Sequence, residues 1–198
     1  MPRPKTYDDE LRERLVARAA TMIAHGGVEA LSLRPLAAAE GTSTSAVYAM
    51  VGDRAALVDA VAARARDSFV AAQQASPTTA EVPTDLLALG HAYRDWALAH
   101  PALYVVMFGG RLPLPPGCGL DVAADEAIAS LRAIVERAAA QGILFGGEAC
   151  VLAATVSIWA GVHGLVSLEI AEGLDRPDDA RSRFEGHLAS IGRGWRTG

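Results

Sequence analysis

Cysteine and lysine are nearly absent from this 198-residue chain, and each scarcity excludes a class of protein. Two cysteines, Cys118 and Cys150, are too few for a disulfide-stapled secreted scaffold, so a reducing cytoplasm is expected. Lys5 is the only lysine among 18 basic residues, and a net charge of -5 argues against a protein that coats nucleic acid indiscriminately. Disorder is also excluded, because 51% of the residues are hydrophobic and only 21% are charged.

The charges that are present divide the chain into two parts. Residues 1–66 hold nine basic and eight acidic residues, whereas residues 67–198 hold nine basic and fifteen acidic ones. A near-neutral N-terminal part joined to an acidic remainder indicates two functions. The N-terminal part is the one suited to a polyanionic partner.

Almost every segment long enough to judge has the periodicity of an amphipathic helix, with apolar residues three and four positions apart. We therefore predict an all-α fold of about nine helices: an N-terminal three-helix domain with a helix-turn-helix, followed by a helical bundle. Residues 109–119 are rich in Gly and Pro and are predicted to form a loop. The predicted helices cover residues 8–25, a short stretch after Ser32, 44–51, 53–74, 84–100, 121–141, 147–171 and 177–195, with the apolar stretch 102–108 unassigned. Ser32, either Thr42 or Ser43, and Asp53 are predicted to cap the helices that follow them.

Residues 32–51, SLRPLAAAEGTSTSAVYAMV, read as two short helices joined by a tight turn at Gly41. This is the pattern of a helix-turn-helix, whose second helix enters the DNA major groove and presents its first side chains to the bases. Small hydroxyl side chains lead that helix, which allows close approach. We expect Arg34, Thr44 and Ser45 to read bases and the tail residues Arg3 and Lys5 to contact the backbone. The alternatives are a plain helical hairpin with ordinary caps, and solvated side chains at Arg34 and Ser45.

Residues 20–58 resemble the DNA-binding region of the TetR family of bacterial transcription regulators. The resemblance rests on the glycine after the first helix, the Gly-Thr-Ser turn, Tyr48, and Arg54 at the start of the fourth helix. It implies that Tyr48 gives its hydroxyl to a phosphate and that Arg54 holds the DNA backbone. The predicted DNA-binding domain is residues 1–54, with a flexible tail at 1–7, and its contact residues are Ser32, Arg34, Thr42, Ser43, Thr44, Ser45, Tyr48 and Arg54.

WAGVHGLVSLE at residues 159–169, together with YRDWALAHPALYVVMF at 93–108, resembles the ligand-binding domain of one TetR subgroup, named for its Trp-His-Gly (WHG) motif. The resemblance implies that residues 55–198 bind a small molecule and pair two subunits through the last two helices.

A rotation of about 100° per residue gives the predicted eighth helix a bulky stripe and a small-residue side. Small residues suit a self-complementary homodimer interface, for which we predict Ser157, Ala160, Gly161 and Gly164. The bulky stripe is expected to face an apolar cavity. The alternative for each aromatic residue, and for His163, is an ordinary core position. The predicted ligand contacts are Tyr93, Trp96, Tyr104, Met107, Phe108, Trp159 and His163.

Residues 149–168 contain no charge and are long enough to cross a bilayer. The polar residues within them and the amphipathic neighbours favour the centre of a dimer, so no membrane partner is expected. Catalytic motifs and zinc-ligand spacing of the five histidines are missing, so we predict a non-enzyme without metal or cofactor. Cys118 is either an oxidant-sensing thiol or an inert loop residue.

These patterns predict a cytoplasmic homodimeric repressor that binds a palindromic double-stranded DNA operator and is released by a small apolar or aromatic effector. A ligand between the fifth, seventh and eighth helices would tilt the fourth. Two alternatives stay open at this point. One is a helical small-molecule-binding protein or enzyme without DNA binding, and the other is an activator or architectural DNA binder.

Overall fold

The structure is a computed structural model that describes residues 5–109, 126–171 and 177–197. These residues form nine α-helices and two short 3₁₀ turns, and the only β-pairing among them is one bridge between Leu144 and Arg196. The predicted all-α class is confirmed. The helices are α1 Lys5–Gly26, α2 Leu33–Ala39, α3 Thr44–Val51, α4 Arg54–Gln74, α5 Val82–Ala99, α6 Pro101–Phe108, α7 Glu126–Ala140, α8 Val151–Ile170 and α9 Pro177–Gly194.

Packing divides the described residues into two units. The first takes in those within Met1–Ser68 and His100–Pro115, and it is built on α1, which contacts α2, α3 and α6. Its core is made by fully buried aliphatic side chains, because α1 to α4 each turn an apolar stripe inward. These residues include Leu15, Ile23, Leu36, Val47, Leu57 and Val61.

The second unit takes in the described residues within Phe69–Ala99 and Pro116–Gly198. It is a bundle in which α8 packs against α7 and α9, and α5 contacts all three of those helices. Leu89, Leu131, Val135 and Ile158 are at the centre of its apolar core.

Buried ion pairs tie the helices of the second unit together. Arg94 on α5 donates from Nε to Glu169 on α8 over 2.9 Å, and the two side chains are 9% and 16% exposed. Asp85 on α5 accepts hydrogen bonds from Arg137 on α7 and from the backbone and hydroxyl of Thr79. Burial by itself would raise the pKa of Asp85, but the bonds from Thr79 and Arg137 outweigh it and hold the pKa below its usual value.

Several local predictions differ from the structure. Helix α1 begins at Lys5, so residues 5–7, predicted as flexible tail, are helical. Residues 101–108 form α6, which the sequence left unassigned because it is apolar on every side and has no period. The predicted loop at 110–119, Cys118 and Arg3 lie outside the described residues. The domain boundary predicted at residue 54 stays a prediction, since the first packing unit extends to Ser68 and also includes α6.

Candidate functional site

Helices α2 and α3 are joined by a short turn that glycine makes possible. Gly41 has φ +65°, a left-handed conformation that L side chains rarely adopt. The hydroxyl of Ser43 accepts a hydrogen bond from the amide of Ala46 over 3.1 Å and so caps α3, as predicted. Val47 and Val51 are buried beneath the helix and fix its position on the first unit. The opposite side of α3 is therefore free to meet a partner.

Polar side chains occupy that outer side of α3. Ser45 is exposed, Thr44 is half-buried, and Tyr48 leaves 56% of its surface to solvent. The hydroxyl of Tyr48 lies about one helical turn after those of Thr44 and Ser45 in the sequence. All three can donate to phosphate or to base edges in a groove. Thr42 is half-buried in the turn, where its amide bonds to the Ala37 carbonyl. The hydroxyl of Ser43 is exposed but is already used by the cap.

The remaining predicted DNA contacts lie in different environments. Arg34 is exposed near the start of α2, without a hydrogen bond or ion pair to any described residue. Ser32 is exposed and precedes α2, but its hydroxyl makes no cap bond, contrary to the prediction of a capping hydroxyl. Arg54 donates to the Val28 carbonyl and lies 3.3 Å from the Glu29 carboxylate, so its guanidinium already has partners within the unit. Its phosphate contact stays a prediction.

Two arginine features around α3 were missed by sequence reasoning. Arg12 and Asp9 on α1 line an open recess with Ala46, Ala49 and Met50 of α3, which puts one basic and one acidic side chain beside α3. Arg14 and Arg18 both donate to the carboxylate of Glu40 in the turn, over 3.2 and 2.6 Å. The bond from Arg18 is the main cause of a lowered pKa at Glu40, which is 8% exposed. No short-range signal could have revealed these pairs, since they join positions more than twenty apart.

Helix α8 also has an exposed side, and that side is apolar. Leu152 and Leu168 leave 55% and 51% of their surfaces to solvent, and Val156, between them, leaves 37%. Ser157 and Ala160, both predicted interface residues, are exposed on the same helix. Together with Ala153 these residues form a mostly apolar strip, which is a candidate interaction surface. We call this strip, at residues 152, 153, 156, 157, 160 and 168, the α8 face.

The two predicted interface glycines differ from each other. A Cβ at Gly161 would lie 2.4 Å from Ile191 Cδ1 and 2.7 Å from His187 Nε2, both on α9 of the same chain. A Cβ at Gly164 would meet nothing within 4 Å. Gly161 thus lies at a close α8–α9 contact inside the unit, whereas Gly164 is open.

The seven predicted ligand residues divide between the two units. Tyr104, Met107 and Phe108 lie on α6 in the first unit, where Tyr104 and Phe108 have ring centroids 5.1 Å apart. Tyr93 and Trp96 in the second unit pack edge-to-face on Phe69, as core aromatics do. Their role in ligand binding stays a prediction.

Trp159 and His163 form a stacked pair on α8, with ring centroids 5.3 Å apart. The hydroxyl of Tyr93 lies 3.0 Å from His163 Nδ1, and Ser167 Oγ lies 3.4 Å from Nε2. Burial lowers the pKa of His163, so the imidazole is neutral at pH 7. Tyr93 and Trp159 line only a small void of about 30 Å³.

Metal and membrane sites are the two remaining kinds of site that the described residues could form. Among residues 5–109, 126–171 and 177–197, no cluster of three or more His, Cys, Asp or Glu side chains could hold a metal ion. Gly147–Ile170 is long and apolar enough to cross a bilayer, and 28% of its most apolar stretch is buried. Core helices of soluble proteins meet the same length test, so this segment is weak evidence for a span. What the segment does show is an apolar helix that is only partly buried within the described residues.

Comparisons with known proteins agree with this arrangement. Residues 86–191 match the family model described as "Tetracyclin repressor-like, C-terminal domain". The HTH-type transcriptional regulator Rv1816 of Mycobacterium tuberculosis is 28% identical over 199 residues, covering 82% of this chain and 81% of the relative. The TetR family regulator PfmR from Thermus thermophilus superposes with a TM-score of 0.73 at 25% identity, covering 91% of this chain and 97% of PfmR. SCO7222, a TetR from Streptomyces coelicolor, shares the fold with a TM-score of 0.62 at 23% identity, covering 92% and 96%.

A helix-turn-helix in one all-α unit and a second, apolar-faced bundle define a DNA-binding transcription regulator. Since the matched family model spans more than half of the sequence, the chain belongs to the TetR family of transcriptional regulators. The description of the matched model does not name the WHG subgroup, so this finer assignment stays a prediction.

Proposed function

We propose that the protein is a homodimeric repressor that binds a palindromic operator through α3 and leaves it when a small apolar or aromatic effector binds the second unit. The observation that carries the DNA-binding part is the outer side of α3, where Ser45 and Tyr48 are exposed at the leading end of a capped helix. Arg34 and Arg12 add positive charge without having to insert into the groove.

The α8 face supports pairing with a second copy. It has no charge, its residues are small or aliphatic, and a two-fold axis requires a single self-complementary patch. Gly186 and Ala189 are exposed small residues of α9, although arginines are exposed on the same helix. A second copy would bury Leu152 and Leu168, and the apolar character of Gly147–Ile170 then needs no bilayer. Such a regulator would act in the cytoplasm, where its operator lies.

Two copies of α3 set the expected form of the operator. Recognition helices of a symmetric dimer enter successive major grooves on one side of the duplex, so half-sites are expected about 10 bp apart or a small multiple of that. The recognition helix has no charged side chain, so few phosphates are neutralised and affinity should fall only shallowly with salt.

The test is a mobility shift with a duplex from the protein's own upstream region, comparing wild type with Tyr48→Phe and Ser45→Ala. Each loses a donor that is exposed in the free protein, so operator affinity should fall about tenfold while thermal stability is unchanged. Ser182→Ala, an exposed hydroxyl on α9, is the matched control and should bind like wild type. Equal binding by all four proteins would reject α3 as the reading helix. Absence of any shift would favour a ligand-binding helical protein that does not meet DNA, and a reporter gene separates repressor from activator.

A further inference from the structure

The second unit contains a cavity of about 510 Å³ between the helices of its bundle. Its walls come from α5, α7, α8 and α9, with the turn after α7 and Trp195 after α9 completing them. The bridge between Leu144 and Arg196, together with the bond from the Phe145 amide to the Trp195 carbonyl, holds that end of the chain against the turn. None of the seven residues predicted to contact a ligand lines this cavity.

The size and lining of the cavity are those of a small-molecule site. Protein interiors are close-packed and leave few voids larger than a water molecule, whereas ligand sites measure about 300–1,000 Å³. Leu86, Ile134, Ala138, Ile158 and Leu188 are among its apolar wall residues, and the charged residues on its lining are Glu185, Arg193 and Arg196. An apolar body with one polar end is the ligand shape that this lining favours.

The charged residues on the lining differ in whether another charged group already pairs with them. The Glu185 carboxylate lies 3.1 Å from His91 Nε2 and 3.2 Å from Arg181 Nε, so its negative charge is already engaged. Arg193 donates only to the hydroxyl of Ser190, over 3.0 Å, and Arg196 has no carboxylate partner among the described residues. Arg193 in the last turn of α9 also complements the helix dipole, but Arg196 lies beyond the helix and has no such role. Two arginines of the lining therefore have no carboxylate partner among the described residues and can meet an anion.

We propose that this cavity binds an apolar carboxylic acid, with the hydrocarbon part among Leu86, Ile134 and Leu188 and the carboxylate on Arg193 and Arg196. Guanidinium and carboxylate form charge-assisted, often bidentate hydrogen bonds, which select an acid over a neutral molecule of the same size. That this acid is the effector rests on the proposed function, whereas its binding to the cavity does not.

The first experiment titrates the full-length protein by calorimetry with decanoic acid and with 1-decanol, which share a ten-carbon chain but differ in charge. The acid should bind once per subunit and about tenfold more tightly than the alcohol, because charged hydrogen bonds are stronger than neutral ones. In the double variant Arg193→Gln/Arg196→Gln, affinity for the acid should fall to that for the alcohol. Arg183→Gln, which removes an exposed α9 arginine off the lining, should leave both affinities unchanged.

A second variant fills the cavity without disturbing the backbone. A Cβ at Gly192, a lining residue, would lie 3.7 Å from Leu86 Cδ2, in ordinary van der Waals contact. Gly192→Leu should therefore fold with unchanged or raised Tm and lose binding of both probes. Gly194→Leu is its control, because a Cβ there meets nothing within 4 Å and the residue does not line the cavity.

The outcomes separate this proposal from the repressor hypothesis. Failure of wild type to bind either probe, or full acid binding by a folded Gly192→Leu protein, overturns the cavity site. Equal affinity for acid and alcohol, or acid binding that is indifferent to the double arginine substitution, overturns the carboxylate assignment. Operator binding is measured separately without either probe, so a protein that binds the acid but no DNA contradicts only the proposed function.

Discussion

Helices α3 and α8 each bury one side and expose the other, but their exposed sides have opposite chemistry. The exposed side of α3 bears hydroxyls at residues 45 and 48, whereas the α8 face bears Leu152 and Leu168. A hydroxyl-bearing side is stable in water alone and gains bonds when DNA arrives. An aliphatic side is costly in water and gains by being covered. Under the proposed function, α3 would therefore make a reversible contact with DNA and α8 a lasting contact with a second copy.

Each unit contains ion pairs, and an exposed pair of the first unit can be compared with two buried pairs of the second. In the first unit, pairs such as Arg66–Asp67 lie at the surface, with side chains 54% and 73% exposed. In the second unit, Arg94–Glu169 and Arg137–Asp85 are largely buried. Water screens the exposed pair but not the buried ones. Breaking a buried pair should therefore cost more stability than breaking an exposed pair.

The largest expected effect tests that contrast directly. Arg94→Ala leaves the Glu169 carboxylate without its buried partner, and loss of one member of such a pair costs about 3–5 kcal/mol. For a chain of this size the Tm should fall by about 10 °C. Arg66→Ala, the matched surface change, should shift the Tm by no more than about 2 °C. Circular dichroism melts of the three proteins measure this, and equal losses would show that burial does not distinguish the pairs.

Ala160→Glu sharpens the contrast between the helix faces. A carboxylate on the α8 face would be desolvated by a second copy, so the dimer should dissociate. Light scattering should report a monomer, and operator affinity should fall about a hundredfold, or about 2.7 kcal/mol. Ala133→Glu, an exposed alanine on α7, should leave both measurements unchanged. A dimeric Ala160→Glu protein would place the interface elsewhere.

The two glycines of α8 offer a smaller and more local test. Gly161→Ala puts a methyl group within 3 Å of both Ile191 and His187, and such overpacking costs about 1–3 kcal/mol. Gly164→Ala meets open space and gains about 0.5–1 kcal/mol from helix propensity. Urea unfolding should therefore order the proteins Gly164→Ala, wild type, Gly161→Ala from most to least stable. The reverse order would contradict the close α8–α9 contact.

The smallest expected effect lies at Glu40 and depends on pH. Arg18 and Arg14 lower its folded pKa below the usual value, so the stabilisation is present above about pH 4.5 and is lost as pH falls through the folded pKa. Both arginines are half exposed, which limits the effect to about 1 kcal/mol. Glu40→Gln should melt slightly below wild type at pH 7 and together with it at pH 2. A gap that persists at the lower pH would point to lost packing instead of lost charge.

Sequence reasoning succeeded where the determining contacts are local. Ser43 and Asp53 cap their helices because each accepts from an amide only three residues ahead. It failed where contacts span the chain. Arg94 and Glu169 are 75 positions apart, and the close approach of Gly161 to α9 depends on how two helices pack. An apolar cavity was predicted, but the residues that line the cavity of the second unit were missed for the same reason, since no helical period reports where several helices leave a gap between them.

Under the proposed pairing of two copies, the exposed aliphatic residues of α8 would make the stability of each subunit depend on protein concentration. By mass action, a subunit diluted below the dissociation constant of the pair loses the stabilisation that association supplies. Its melting temperature should then rise with protein concentration. In a cell with few copies of the protein, newly synthesised subunits with an exposed apolar surface would be substrates for chaperones and proteases until they dimerise. A repressor of this kind would have a minimum expression level below which it does not persist.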